Sequence, residues 1–226
     1  MELGLLRHAD ALSANGGSIP TDDSRPLSEK GHVQARDVGA FLKISGRIPD
    51  LILCSPFVRA RETAGGVVRG LGLSVPIIQV AALACEVKTT IQADSILKAV
   101  EGARLGKRTR VLAVAHMPDL SMLAAHYLSG DENSLGFEKA GLALMEFPGY
   151  PEESAGQPSA SKQTGYTSSK AKRHAPRAML LYLWECDYSD RKTIYYNHRG
   201  YSRNRNFLTQ WPITKVIPQS NFPSIR

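Results

Sequence analysis

The chain has few cysteines, no long apolar run and, over its first two thirds, no excess charge of either sign. Its three cysteines, Cys54, Cys85 and Cys186, are scattered and odd in number, without the close pairing of a disulfide framework or a zinc site. Cys54 lies within an apolar run and reads as a small core residue, which fits a reducing compartment. No apolar stretch approaches the roughly 18 to 20 residues that span a bilayer. Arg7 and Asp10 interrupt the place where the apolar part of a secretory leader would lie. These shortages lead us to expect a soluble cytoplasmic protein with no membrane partner, and no internal repeat suggests a solenoid.

At 226 residues, 42% of them hydrophobic, the chain can bury one sizeable core and a small appendage. Residues 1–150 carry 16 Lys and Arg against 16 Asp and Glu, whereas residues 151–226 carry 12 against 5. The whole net charge of +7 therefore belongs to the carboxy-terminal part, and the two parts differ in kind.

The first part alternates strands and helices. Leu3 to Leu6 reads as a strand, and Ala11 to Arg25 as a loop without periodicity. Ser28 caps a helix with apolar Val33, Val38, Phe41, Leu42 and Ile44 at helical spacing, ended by Gly46 and Pro49. Then come a strand at Leu51 to Ser55, a helix from Phe57 to Arg69 and a strand from Val75 to Val80. A third helix, Thr89 to Arg104, sets Ile91, Ile96, Leu97 and Val100 on one face. Val111 to Ala115 is the next strand, Pro118 opens a helix to about Leu128, and Leu142 to Phe147 is a further strand. Such alternation argues for an α/β fold with right-handed crossovers. We expect three layers, α/β/α, with helices on both faces of a mostly parallel sheet.

Residues 1–149 make the expected core. Residues 150–177, rich in Ser, Lys, Gln and Gly, read as a flexible insertion that cannot supply a core. Residues 178–186 read as the final edge strand, pairing beside Leu142 to Phe147. Residues 187–226 form a basic, aromatic-rich extension with little helical or strand period.

Two histidines, His8 and His116, each directly follow an apolar run, and the run ending at Ser55 is followed by Arg59 and Arg61. The carboxyl ends of parallel strands share one edge, where ligands bind in the crevice. Histidines and arginines converging there describe a pocket for a phosphoryl group. Phosphoryl transfer needs an in-line nucleophile and positive charge around the equatorial oxygens. His8, exposed by a short turn yet rigidly held, is the nucleophile candidate, kept neutral by flanking guanidinium groups. Arg7 and Arg59 offer planar forks that match phosphate oxygens. His116, protonated, would add a hydrogen bond to the developing charge, and the helix opened by Pro118 would point its positive end there. Arg61 faces elsewhere, His32 is exposed, and His126 packs or caps near its helix end.

Leu5-Leu6-Arg7-His8-Ala9 resembles the Arg-His-Gly or Arg-His-Ala motif of the histidine phosphatase superfamily, whose fold is phosphoglycerate mutase-like. Ser55-Pro56-Phe57-Val58-Arg59-Ala60-Arg61-Glu62-Thr63-Ala64 is similar to its Ser-Pro-x-x-Arg-Ala-x-x-Thr-Ala motif, and His116 matches its second histidine. Asp23 to Gly31 with Gln34-Ala35, and His116 to Ser121, are similar to SixA-type phosphohistidine phosphatases. The resemblance covers residues 1 to 147. It implies that His8 is transiently phosphorylated, that Arg7, Arg59 and His116 bind the phosphoryl group, and that water releases phosphate. No metal or other cofactor is implied. Larger members carry an acidic proton donor in the region where Glu86 stands, although SixA-like members often lack one, and an ordinary loop carboxylate is the competing reading. Arg25 is a candidate for the pocket rim, with an ion pair to Asp22 or Asp23 as the competing reading. Met117 stands where SixA-like sequences have Asn or Glu, and residues 150–177 and the tail after Cys186 have no family counterpart.

The expected function is dephosphorylation of phosphohistidine on a signalling protein. The enzymatic alternative is a small-molecule phosphate-ester phosphatase. The non-enzymatic alternative is a scaffold that works through its basic tail. In that tail Tyr195, Tyr196, Arg199, Tyr201, Arg203, Arg205, Phe207 and Trp211 interleave cations and rings, as in proteins that track single-stranded nucleic acid. No recognised nucleic-acid motif accompanies them, and docking of an acidic phosphoprotein is the other use of such charge. Sequence gives no oligomeric state.

Overall fold

The computed structural model describes residues 1–13, 21–105, 109–128 and 135–147, together with the backbone of 179–187, 192–197 and 215–218. The expected insertion at 150–177 and most of the extension lie outside these residues.

In chain order the elements are β1 (Glu2–Arg7), α1 (Glu29–Ile44), β2 (Leu51–Cys54), α2 (Val58–Leu71), β3 (Ile77–Gln79), α3 (Thr89–Gly102), β4 (Arg110–Ala115), α4 (Asp119–Leu128), β5 (Leu142–Glu146), β6 (Met179–Asp187), β7 (Lys192–Asn197) and β8 (Lys215–Pro218). They form one sheet in the order β3-β2-β4-β1-β5-β6-β7-β8. β3, β2, β4 and β1 pair in parallel, whereas β5 to β8 continue antiparallel from β1. The parallel character is therefore confined to the first four strands.

Helices cover both faces of that parallel half, as the unbroken apolar strands require. On one face α1 and α2 pack over Leu6, Ile52, Cys54, Leu112 and Val114. On the other, α3 and α4 pack over Leu3, Leu5, Leu51, Leu53, Val111 and Ala113. Alternate residues of each strand thus feed opposite cores. Helices α1 and α2 approach so closely that a Cβ on Gly39 would stand 2.2 Å from the Val67 carbonyl oxygen, and one on Gly70 2.0 Å from that of Arg36.

Ser28 caps α1 as expected, its hydroxyl oxygen accepting the Gly31 N–H at 3.0 Å. Ile44, counted on the apolar face, is 60% exposed because α1 runs past the core before Gly46 turns the chain. In α3 the buried positions are Gln92, Ile96 and Val100, four residues apart, while Ile91 and Leu97 lie at the surface. β3 is shorter than expected and sits at the sheet edge, with Ile77 and Ile78 exposed.

The strand expected at 178–186 forms as β6 and pairs with β5, but it is not the edge. β7 pairs along its other side and β8 lies beyond. The reason is readable in Lys192-Thr193-Ile194-Tyr195-Tyr196-Asn197, whose β-branched and aromatic residues suit a pleated strand. Read with the arginines that follow from Arg199 on, Tyr195 and Tyr196 suggest a stacking surface instead. Among the described residues, no helix is long and apolar enough to cross a membrane.

Candidate active site

The parallel pairing fixes which residues meet. Arg7 is level with Ala115, and Cys54 with Val114, so the next residues of β1, β4 and β2 emerge side by side as His8, His116 and Ser55. Two hydrogen bonds hold them there: the His8 N–H donates to the Ala115 carbonyl and the Ser55 N–H to that of Val114, each at 3.0 Å. The rings of His8 and His116 lie 5.2 Å apart between centroids.

Arg59 comes from the first turn of α2. Side chains of a helix lean toward its amino terminus, so its guanidinium reaches back over the strand ends. Its Nε–H donates to His8 Nε2 at 3.3 Å. One turn on, the Thr63 hydroxyl donates to the Arg59 carbonyl at 2.6 Å and accepts the Ala9 N–H at 3.0 Å. One threonine thus ties the arginine's helix to the loop that carries His8. On the far side of β1, Arg7 Nη1 donates to the Phe137 carbonyl at 2.7 Å, while its buried Nε has no hydrogen-bond partner among the described residues.

The tautomer of His8 follows from its neighbours. Nδ1 stands 2.8 Å from the Ala9 carbonyl oxygen, which can only accept, so Nδ1 carries the hydrogen. Nε2 is left with its lone pair, toward which Arg59 points an N–H. Burial, opposed by the Ala9 bond and reinforced by Arg59, Arg7 and Arg25, lowers the His8 pKa to about 4. A neutral imidazole is therefore the resting form, as expected, with burial a larger cause than the guanidinium groups.

His116 departs from expectation. Burial, with His8 and Arg59 nearby, lowers its pKa to about 3, so the resting ring is neutral rather than protonated. Nε2 lies 2.8 Å from Ser55 Oγ, which also accepts the Phe57 N–H at 3.3 Å, and Nδ1 is buried without a partner among the described residues. Phe57 packs its ring 4.9 Å from that of His116 and beneath the Arg59 guanidinium, 5.0 Å from ring centroid to Cζ.

Arg25 stands at the rim. It donates to the Leu12 carbonyl and pairs with Asp22, each at 2.7 Å, and its charge still reaches His8. The ion pair with Asp22 is the competing sequence reading of Arg25, and it is present. Glu86 sits in a left-handed backbone conformation with φ 65° and is exposed. Among the described residues its carboxylate has no bond to His8, Arg7, Arg59 or His116, although its neighbour Cys85 places Sγ 3.9 Å from Arg59 Nη2. Arg61 is exposed, His32 is half-buried rather than exposed, and His126 packs its ring near that of Tyr127. Sequence reasoning gave no role to Ser55, Thr63 or Phe137, and gave Asp22 only an ion pair with Arg25. The first two stood inside the motif, but their partners are 61 and 54 residues away.

Residues 3–84 match the model of the histidine phosphatase superfamily, branch 1. That stretch carries Arg7, His8, Arg25 and Arg59 and bears out the resemblance read from the motifs. Solved structures share the three-layer, phosphoglycerate mutase-like fold. A tungstate complex of the protein histidine phosphatase SixA is 24% identical, with 65% of this chain and 88% of that one covered and a TM-score of 0.56. A structure described as a candidate phosphohistidine phosphatase SixA from Agrobacterium tumefaciens is also 24% identical, with 65% and 92% covered and a TM-score of 0.54. A phosphoserine phosphatase from Entamoeba histolytica, in complex with 3-phosphoglyceric acid, is 15% identical, with 65% and 90% covered and a TM-score of 0.50. At these identities the likeness is one of fold. No curated protein matches the chain in sequence.

Proposed function

We propose that the protein is a metal-independent phosphatase that works through a phosphohistidine at His8 and removes phosphate from phosphohistidine on a signalling protein in the cytoplasm. The observation that carries this reading is the state of His8 Nε2, an unprotonated ring nitrogen with a guanidinium N–H directed at it. The Nε2 lone pair forms the N–P bond as the bond from phosphorus to the substrate nitrogen breaks; the substrate ring, protonated at its other nitrogen, keeps that electron pair and leaves as neutral imidazole. Water then attacks phosphorus, the bond to Nε2 breaks, orthophosphate departs, and the water's proton passes to phosphate or solvent. Arg59, Arg7 and His116 surround the transferring oxygens, and Arg25 borders the mouth. Guanidinium groups meet the phosphoryl charge, so the reading calls on no metal.

The Ser55 hydroxyl, engaged as acceptor by Phe57, donates its hydrogen to His116 Nε2 and leaves Nδ1–H as a buried donor in search of an acceptor. A phosphoryl oxygen is such an acceptor. Preference for N–P substrates is supported by the state of the carboxylates. Asp22 is held ionised by Arg25 and Arg59, and Glu86 makes no bond to the cluster. A leaving imidazole depends less on an acid than an alkoxide does. The core is residues 1–149, and the basic charge beyond it suits an acidic phosphoprotein.

Brief incubation with radiolabelled phosphoramidate tests the reading. Acid-labile, alkali-stable label is expected on the protein and absent from His8→Gln. No label on the unaltered protein, or equal label on the variant, rejects it.

A further inference from the structure

Asp22 takes no part in the bond-making steps above, and it occupies the guanidinium fork of Arg59. Its Oδ2 lies 2.9 Å from Arg59 Nη2, and its main-chain carbonyl accepts Arg59 Nη1 at 2.5 Å. Its Oδ1 lies 2.7 Å from Arg25 Nη1. The outer fork of Arg59 is thus filled by one carboxylate residue, leaving only Nε directed at His8. The position is built rather than incidental. Asp22 opens a single 3-10 turn at Asp22–Ser24, fixed by reciprocal bonds in which Thr21 N donates to Ser24 Oγ and Ser24 Oγ to the Thr21 carbonyl. Arg59 is 5% exposed while Asp22 is 59% exposed, so a buried cation presents its fork to a carboxylate at the surface. The Asp22 carboxylate is among the charges acting on His116.

A planar carboxylate and a phosphoryl face compete for the same guanidinium fork. Any phosphoryl group that takes Arg59 must displace Oδ2, after which the Asp22 carboxylate stays at the mouth on Arg25, facing whatever the phosphorus is attached to. We propose that Asp22 determines specificity by the charge of the leaving group. It opposes free phosphate and esters, whose oxygens offer the carboxylate no donor, and admits phosphohistidine, whose second ring nitrogen, when protonated, presents an N–H that a carboxylate can accept. This inference rests on the proposed phosphatase reading and names the substrate class its pocket selects.

The test compares the unaltered protein with Asp22→Asn, which keeps the size and surface position of the side chain and removes its charge. Binding of inorganic phosphate is read by calorimetry, and kcat/KM is read for free phosphohistidine and for p-nitrophenyl phosphate. Asp22→Asn is expected to bind phosphate at least about fivefold more tightly, in keeping with the loss of one partly exposed charge pair. The ratio of phosphohistidine to ester kcat/KM is expected to fall by about tenfold, with Asp22→Glu restoring it. Phosphate affinity or substrate ratio staying within about twofold of the unaltered protein overturns the proposal. Phosphate binding needs no turnover, so a failure of the catalytic reading, seen as absence of label on His8, is distinguishable from a failure of this one.

Discussion

Arg59 Nε stands 3.3 Å from His8 Nε2, its hydrogen directed at the lone pair of a ring nitrogen. A cation against the nucleophilic atom does two things at once. It disfavours protonation of the imidazole, and it waits where the phosphoryl oxygens will arrive.

Arg59→Lys keeps the charge but loses the Nε–H and the fork. Loss of one such transition-state donor elsewhere costs about 10²- to 10³-fold in kcat. We expect kcat on phosphohistidine to fall by about 100-fold at saturating substrate, with less than a tenth of that recovered relative to Arg59→Ala. Steady-state kinetics on the three proteins checks this.

Both histidines should titrate far below an exposed imidazole. Carbon-edited NMR of the ring positions is expected to place His8 near about 4 and His116 near about 3. An imidazole whose folded pKa is depressed binds fewer protons in the native state than in the unfolded chain between that value and about 6.5. Stability is therefore full above about pH 6.5 and declines as pH falls toward 4. Melting temperature against pH should show this slope, flattened in His8→Gln, and a slope of opposite sign would count against the assignment.

Ser55→Ala removes the partner of His116 Nε2 and leaves a second buried ring nitrogen unsatisfied. The expected loss is about 1 to 3 kcal/mol of stability, with a fall in kcat that Ser55→Thr restores in part. Denaturant melts beside steady-state kinetics separate the two effects.

Thr63→Val keeps volume but abandons two buried partners, the Ala9 N–H and the Arg59 carbonyl. We expect a loss of about 1 to 3 kcal/mol in urea unfolding. Because the bond spans α2 and the His8 loop, kcat should fall as well.

Gly70→Ala puts a methyl against the Arg36 backbone, where a Cβ would lie 2.0 Å from the carbonyl oxygen. Forcing α1 from α2 is expected to cost about 1 to 3 kcal/mol, read in the midpoint of thermal unfolding, with the phosphorylation of His8 retained in the fraction that stays folded.

The layered core was legible because each of its strands is a short apolar run and each helix carries a period. His8, His116 and Arg59 were legible for the same reason, since a polar residue just past an apolar strand lands at the sheet edge. What escaped depends on contacts between distant segments. The exposed state of Ile91 and Leu97 is set by where α3 lies on the sheet, which its own period does not encode. Ser55 and Thr63 look like ordinary small polar residues until their partners 61 and 54 positions away are known. The resting charge of His116 was misjudged because its burial, the largest cause of its low pKa, comes from the packed fold. β7 was not legible because Tyr195 and Tyr196 precede a run of arginines beginning at Arg199, and that composition suggested a binding surface before a strand.

β1 is the strand at which the sheet changes direction. Its parallel neighbour β4 ends beside His8, while its antiparallel neighbour β5 begins there, so Phe137 in the approach to β5 holds Arg7 by its carbonyl. His8 and His116 are set by strand pairing, whereas the grip on Arg7 is set by a connection that the ladder does not constrain. Remodelling that connection would shift the Arg7 guanidinium and leave the His8 ring where it is.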